Sequence, residues 1–173
     1  MSSPVVVDIM GTIVVDTAKA LYTDAAAINY MHGHPIEITD RLTQMTKDPT
    51  VAQGKYPLIA LFQDFEESKG GDFIKVKLNL IIATLTNREM KAPERYTAHF
   101  RTLLYPIYDR FIYQISRSQM FQEATERQIS HIKIDRLFWG RNGLYGSERN
   151  MFNDHIDCIE IKDLKLSLKL KNC

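Results

Sequence analysis

Near its start the chain places Val6, Ile9, Met10, Ile13, Val14, Thr17 and Leu21 on one stripe, with Asp8, Asp16 and Lys19 off it. Spacing of three and four predicts an amphipathic helix, and Ser3-Pro4 ahead of it offers a cap followed by proline at the first helical position. Residues 56–66, YPLIALFQDFE, are almost continuously apolar and predict a buried strand. Ile74, Val76, Leu78, Leu80 and Ile82 then alternate with Lys75, Lys77 and Asn79, the period of a strand with one wet face. ESKGGD, 67–72, predicts the turn joining the two as a hairpin.

Further on, Phe100, Leu103, Leu104, Ile107, Tyr108, Phe111, Ile112 and Ile115 keep helical spacing, and Pro106 inside the run predicts a kink or a division. HIKIDRLF, 131–138, alternates as a strand. In the closing stretch Leu164, Leu166, Leu168 and Leu170 alternate with Lys165, Ser167, Lys169 and Lys171. Ile159 and Ile161 stand in the opposite phase, which predicts a bulge near Lys162-Asp163. Residues 31–55 and about 139–155 show no sustained period and read as two long loops. The expectation is one domain over 1–173, of α+β class. In it a mainly antiparallel sheet carries an N-terminal helix and a long helix.

Composition narrows this little. The chain has 173 residues, 45% hydrophobic and 25% charged, enough to bury a core. A net charge of +1 gives no general pull toward nucleic acid or membrane. No apolar run is long enough for a membrane span, and no signal peptide is visible at the start. Cys158 and Cys173 make no disulfide framework and fit a reducing compartment. A soluble intracellular domain is the expectation.

Candidate chemistry is sparse. VVVDIMGT resembles the nucleophile loop of haloacid-dehalogenase-like hydrolases, with Asp8, Gly11 and Thr12 in place and Met10 where the general acid would stand. An Mg²⁺-dependent phosphohydrolase using Asp8 is therefore one alternative. It lacks a later strand ending in acidic residues, and a packed helix is the simpler reading. GRNGLYGS, 140–147, matches no phosphate-loop spacing. His32 and His34 lack further ligands at metal spacing, so no metal or cofactor is expected. No Ser-His-Asp or Cys-His set can be assembled from spacing. The alternating C-terminal lysines read as a solvated strand face or as guards of an exposed sheet edge.

HGHPIEITDRLTQMTKDPT, KYPLIALFQDFEE, LLYPIYDRF, DRLFWGRNGLYG and FNDHIDCIEIKDLKLSLK together resemble a family of structural proteins of tailed phages and prophages of the Bacteroidetes type. The element order is similar to the tail-terminator, or tail-completion, fold. The resemblance implies a non-enzymatic subunit of a homo-oligomeric ring at the head–tail junction, acting as connector or terminator. It would be assembled in the host cytoplasm and retained in the virion neck. Its partners would be copies of itself, portal or adaptor proteins and tail proteins. DNA would pass through the lumen without sequence-specific binding, and no membrane would be involved. Interface candidates fall in the two loops: His32, His34, Arg41, Lys47, Trp139, Arg141, Tyr145, Arg149 and Phe152. A second alternative is a cytoplasmic adaptor that binds another protein through 139–155.

Overall fold

A computed structural model of the chain describes residues 5–139 and 154–169. Its strands are Asn29–Gly33 (β1), Leu58–Gly70 (β2), Phe73–Leu85 (β3), Ser130–Trp139 (β4) and Ile156–Lys169 (β5). They form one sheet in the order β1-β2-β3-β5-β4. Only β1 lies parallel to its neighbour, β2; every other pair is antiparallel. The class is α+β, with the hairpin, the later strands and both expected helices in place. The ESKGGD turn is tighter than its composition suggested, because β2 runs on to Gly70 and only Gly71 and Asp72 turn the chain. Gly71 takes a φ of 65°, where an L side chain is strained.

One sheet face is apolar from β2 to β5. Ile59 and Leu61, then Ile74, Val76, Leu78, Leu80 and Ile82, then Ile159, Ile161, Leu164, Leu166 and Leu168 lie buried in one cluster. Strict alternation would send Leu164 to the opposite face from Ile161. The expected bulge prevents this: Leu80 pairs with Ile161 and Leu78 with Leu164, so Lys162 and Asp163 together oppose Asn79. Asp163 adopts a φ of 51°, and its N–H donates to Asn79 Oδ1 at 3.0 Å.

Two helical elements cover this face. Val6–Tyr22 (α1) buries Val6, Met10, Ile13, Val14 and Thr17 of the stripe read from the sequence, with Ala18 beside them, while Ile9 and Leu21 are half-buried. The second element starts with Ala92–Arg95 (α4), continues as a π-helical stretch Tyr96–Leu104 and ends as Tyr105–Arg117 (α5). Pro106 explains the change of winding. It carries no N–H for an α ladder and its ring crowds the preceding turn, so the wider π turns stop just before it. The expected division at proline is thus a switch of helix type along one rod. Phe100, Leu104, Ile107, Phe111, Ile112 and Ile115 face the sheet.

The segment 31–55, expected as a loop, is largely structured. It holds most of β1, the helix Pro35–Lys47 (α2), the short helix Pro49–Ala52 (α3) and a 3-10 turn, Gln53–Lys55. A capping box starts α2: His34 Nδ1 accepts the Ile36 N–H at 3.2 Å, and Glu37 Oε2 accepts the His34 N–H at 3.2 Å. Ile38 and Leu42 bury against Met31, Leu58, Ala60, Phe62, Ile81, Ala83, Ile156 and Cys158. So α2 covers half of the second sheet face. The other half, with Lys75, Lys77, Lys165 and Ser167, carries an open groove of about 450 Å³.

The bulge analysis yields a paired deletion test. Removing Asp163 makes β5 regular and leaves Leu164, Leu166 and Leu168 on the core face, so a cooperative urea transition is expected to persist. Removing Lys165 instead turns Leu166 and Leu168 outward and is expected to abolish the transition. The reverse pattern would show that the bulge does not set the register. Phe111→Ala, which empties a fully buried site, is expected to lower stability by about 3–5 kcal/mol in the same assay.

Candidate functional site

Two ion pairs, one buried and one partly buried, flank the start of β5, one on each sheet face. On the helical face Asp157 is 0% exposed and Arg95, from α4, is 2% exposed. Arg95 Nη2 pairs with Asp157 Oδ1, Arg95 Nε donates to Oδ2 at 3.0 Å, and His99 Nδ1 lies 2.7 Å from Oδ2. A forked guanidinium meeting a carboxylate is the geometry that best offsets the desolvation of both charges. On the α2 face Lys55 Nζ pairs with Asp154 and donates to Thr46 Oγ1 at 2.6 Å. Tyr56 Oη donates to the same Asp154 oxygen at 2.9 Å. Burial, reinforced by the Asp154 charge, pushes the Tyr56 phenol well above its ordinary range. These pairs clamp β5 between α4 and the Lys55–Tyr56 corner.

The helix-facing side of β4 carries a partly exposed cluster of aromatic and charged groups. Tyr105 Oη donates to Asp135 Oδ2 at 2.5 Å, and Tyr108 Oη lies 2.6 Å from His131 Nε2. Lys133 Nζ sits 4.1 Å from the Tyr105 ring centre, 5.1 Å from that of Tyr108 and 3.2 Å from Asp135 Oδ1. His131 Nδ1 lies 3.0 Å from the Ile129 carbonyl, so in the neutral ring the proton sits there and Nε2 accepts from Tyr108. The hydrogen bond to Asp135 pushes the Tyr105 phenol up to about 12.

What this leaves open is the far edge of β4. No strand among the described residues pairs with it, and Ile132 and Leu137 are 52% and 48% exposed. A second open edge lies across the sheet. β1 pairs with β2 only as far as Phe62, so Glu66–Gly70 has β3 on one side and no strand among the described residues on the other. All five of these residues are exposed. An open strand edge is a place where a further strand can pair, and Glu66, Glu67 and Lys69 put charge along this one.

The interface candidates scatter. His32 is half-buried on β1, its Nδ1 2.9 Å from Gln63 Oε1, and His34 is the α2 cap. The two imidazoles thus have separate structural duties. Arg41 and Lys47 are exposed on α2, on a helix and not in the loop expected there. Trp139 ends β4 in register with Ile156. Arg141, Tyr145, Arg149 and Phe152 lie outside the described residues, as does most of the expected loop 139–155. Neither open edge was legible as an edge in the sequence.

The hydrolase-like motif is helical. Asp8 occupies the first turn of α1, exposed, beside a groove of about 440 Å³ that also holds Thr12, Asp16 and Arg117. Thr12 Oγ1 donates to the Asp8 carbonyl at 3.1 Å. Gly11 is there for packing: a Cβ would come within 3.1 Å of the Tyr30 ring, whose hydroxyl donates to the Val7 carbonyl at 2.9 Å. Lys165 is likewise no edge guard, since β5 lies between β3 and β4. No group of three or more metal-ligating side chains occurs among the described residues, and no helix among them is long and apolar enough to cross a membrane. No protein-family model matches the chain, and no curated protein sequence matches it.

Two measurements test this site. Arg95→Met removes the forked partner of a buried carboxylate, leaving His99 beside it, and is expected to cost about 3–5 kcal/mol, while the double variant Arg95→Met with Asp157→Leu recovers much of it in urea melts. Equal losses in both would show that the pair is not coupled. The raised Tyr105 phenol favours the fold below the ordinary tyrosine pKa, a contribution lost as pH rises through about 12. Asp135→Asn is expected to bring the Tyr105 ring-carbon titration, followed by NMR, back toward the ordinary tyrosine value.

Proposed function

We propose that this chain is a non-enzymatic assembly subunit that forms a homo-oligomeric ring at the head–tail junction of a tailed phage, as connector or tail terminator. The observation that carries the reading is the pair of open strand edges on opposite sides of one sheet. A subunit with two different, oppositely placed edges is suited to head-to-tail contacts, and such contacts close into a ring when the rotation between copies permits. The phage-structural resemblance of the sequence supplies the setting. Partners in this reading are further copies, portal or adaptor proteins and tail proteins, with DNA passing through the lumen without base-specific contact. The protein would reside in the virion neck.

The test is the mass and symmetry of the native protein, measured alongside imaging of phage particles. A closed ring of this chain at the portal–tail junction is the expected result. A chain that stays monomeric at every concentration and is absent from particles overturns the proposal.

A further inference from the structure

We infer that the uncovered half of the second sheet face binds the phosphate backbone of duplex DNA, and that in the ring this half-face is turned toward the lumen. The placement in the ring rests on the assembly reading above; the binding surface rests on the charges of the face itself.

Cross-strand register brings the groups together. On the side that α2 leaves open, two rows of side chains run across the sheet. One is Glu66, Lys77, Lys165 and Ser130; the next is Ser68, Lys75 and Ser167. Along β3 and β5 they alternate with the core residues Val76 and Leu166, so they stand on the side away from α1 and the helical rod. The groove of about 450 Å³ lies along these rows. Lys162, at the bulge, and Lys169 extend the array along β5.

Lys77 stands directly opposite Lys165. Like charges so placed destabilise a sheet, and packing demands neither side chain, since Lys165 is exposed and Lys77 half-exposed. Carboxylates offset only part of the charge. Glu66 Oε2 and Asp163 Oδ1 lie 3.6 and 4.0 Å from Lys77 Nζ, and Glu123 Oε2 accepts the Ser167 N–H at 3.1 Å. Glu67 pairs with Val76 and so belongs to the helix-covered face. Lys75, Lys162, Lys165 and Lys169 are exposed and make no ion pair among the described residues. With the whole chain at +1, this local excess is a polarisation of the surface and not a general surplus.

Rows of ammonium and hydroxyl groups are the set that contacts phosphate oxygens and sugars without reading bases. A second copy fits worse, because packing this half-face on itself sets lysine rows against lysine rows. Contacts through opposite edges of the sheet leave its two faces free, so that one of them looks into the ring. The helical face is closed by α1 and the rod, and the lysine-bearing half has no helix of the described chain over it.

The test measures binding of a fluorescein-labelled duplex of arbitrary sequence to the purified full chain as salt is varied. Each lysine that meets a phosphate adds about 0.9 to the slope of log K against log salt. Lys75→Gln with Lys165→Gln and Lys169→Gln is expected to lower that slope by about 2–3 and to weaken binding to unrelated duplexes equally. Lys19→Gln with Lys47→Gln and Lys91→Gln, exposed elsewhere, should leave it unchanged. Lys165→Gln alone should keep or raise the urea midpoint, because it removes a repulsion, which separates lost binding from lost folding. No binding by the parent at low salt, or the same slope in both triple variants, overturns the inference. A ring imaged with its helical face toward the lumen overturns the placement and leaves the assembly reading standing. Lysine-dependent binding with no ring in protein or particles overturns the assembly reading and leaves the DNA surface standing.

Discussion

Everything on the covered face of the sheet depends on how β5 reconciles two apolar sets written in opposite phase. Ile159 and Ile161 precede Leu164, Leu166 and Leu168 by an odd residue, and an unbroken strand would bury one set and expose the other. The bulge at Lys162–Asp163 absorbs that residue, at the expense of a left-handed φ at Asp163. Because β5 pairs with both β3 and β4, its register fixes theirs. The face under α1 and the long helical rod is continuous only because this one junction holds.

Polar contacts then fasten the layers that apolar packing brings together. Arg95, Asp157 and His99 bind the start of the helical rod to β5, while Tyr105, Tyr108, Lys133 and Asp135 bind its middle to β4. The apolar contacts have no preferred direction, and these polar ones do. Between them they set the position of the rod along the sheet. The second face is treated differently, with α2 over one half and water over the lysine-bearing other half.

Much of this was legible from spacing alone. The helix at 6–22, the helical run from Phe100 to Ile115, the hairpin, β4, β5 and the bulge all announced themselves by period. The stretch 31–55 did not, for physical reasons. β1 has no alternation and exists because β2 offers it a parallel partner. α2 buries few apolar positions and starts on a histidine cap, which is not among the usual capping residues. The Arg95–Asp157 pair joins positions 62 apart in sequence, a distance no local pattern reports. The open edges were hidden for a related reason. Strand order decides which strand is outermost, and order follows from β5 entering between β3 and β4. Hence, of the residues picked out in loops, His34 is a helix cap and Arg41 and Lys47 lie on a helix face, and the exposed edges were passed over.

The placement of β5 also bears on how the sheet comes into being. It is the last described strand along the chain, yet it stands between two strands that precede it. Until it enters, β1, β2 and β3 can pair among themselves, but β4 has no neighbour in the sheet and β3 shows a bare side. Contacts this remote in sequence form slowly because the loop must close before they return any stabilisation. During that interval β3 and β4 are each open to a strand from another molecule. The Lys55–Asp154 pair, whose partners lie 99 residues apart, forms with the same late step, so completion of the sheet and closure of its charged corner coincide.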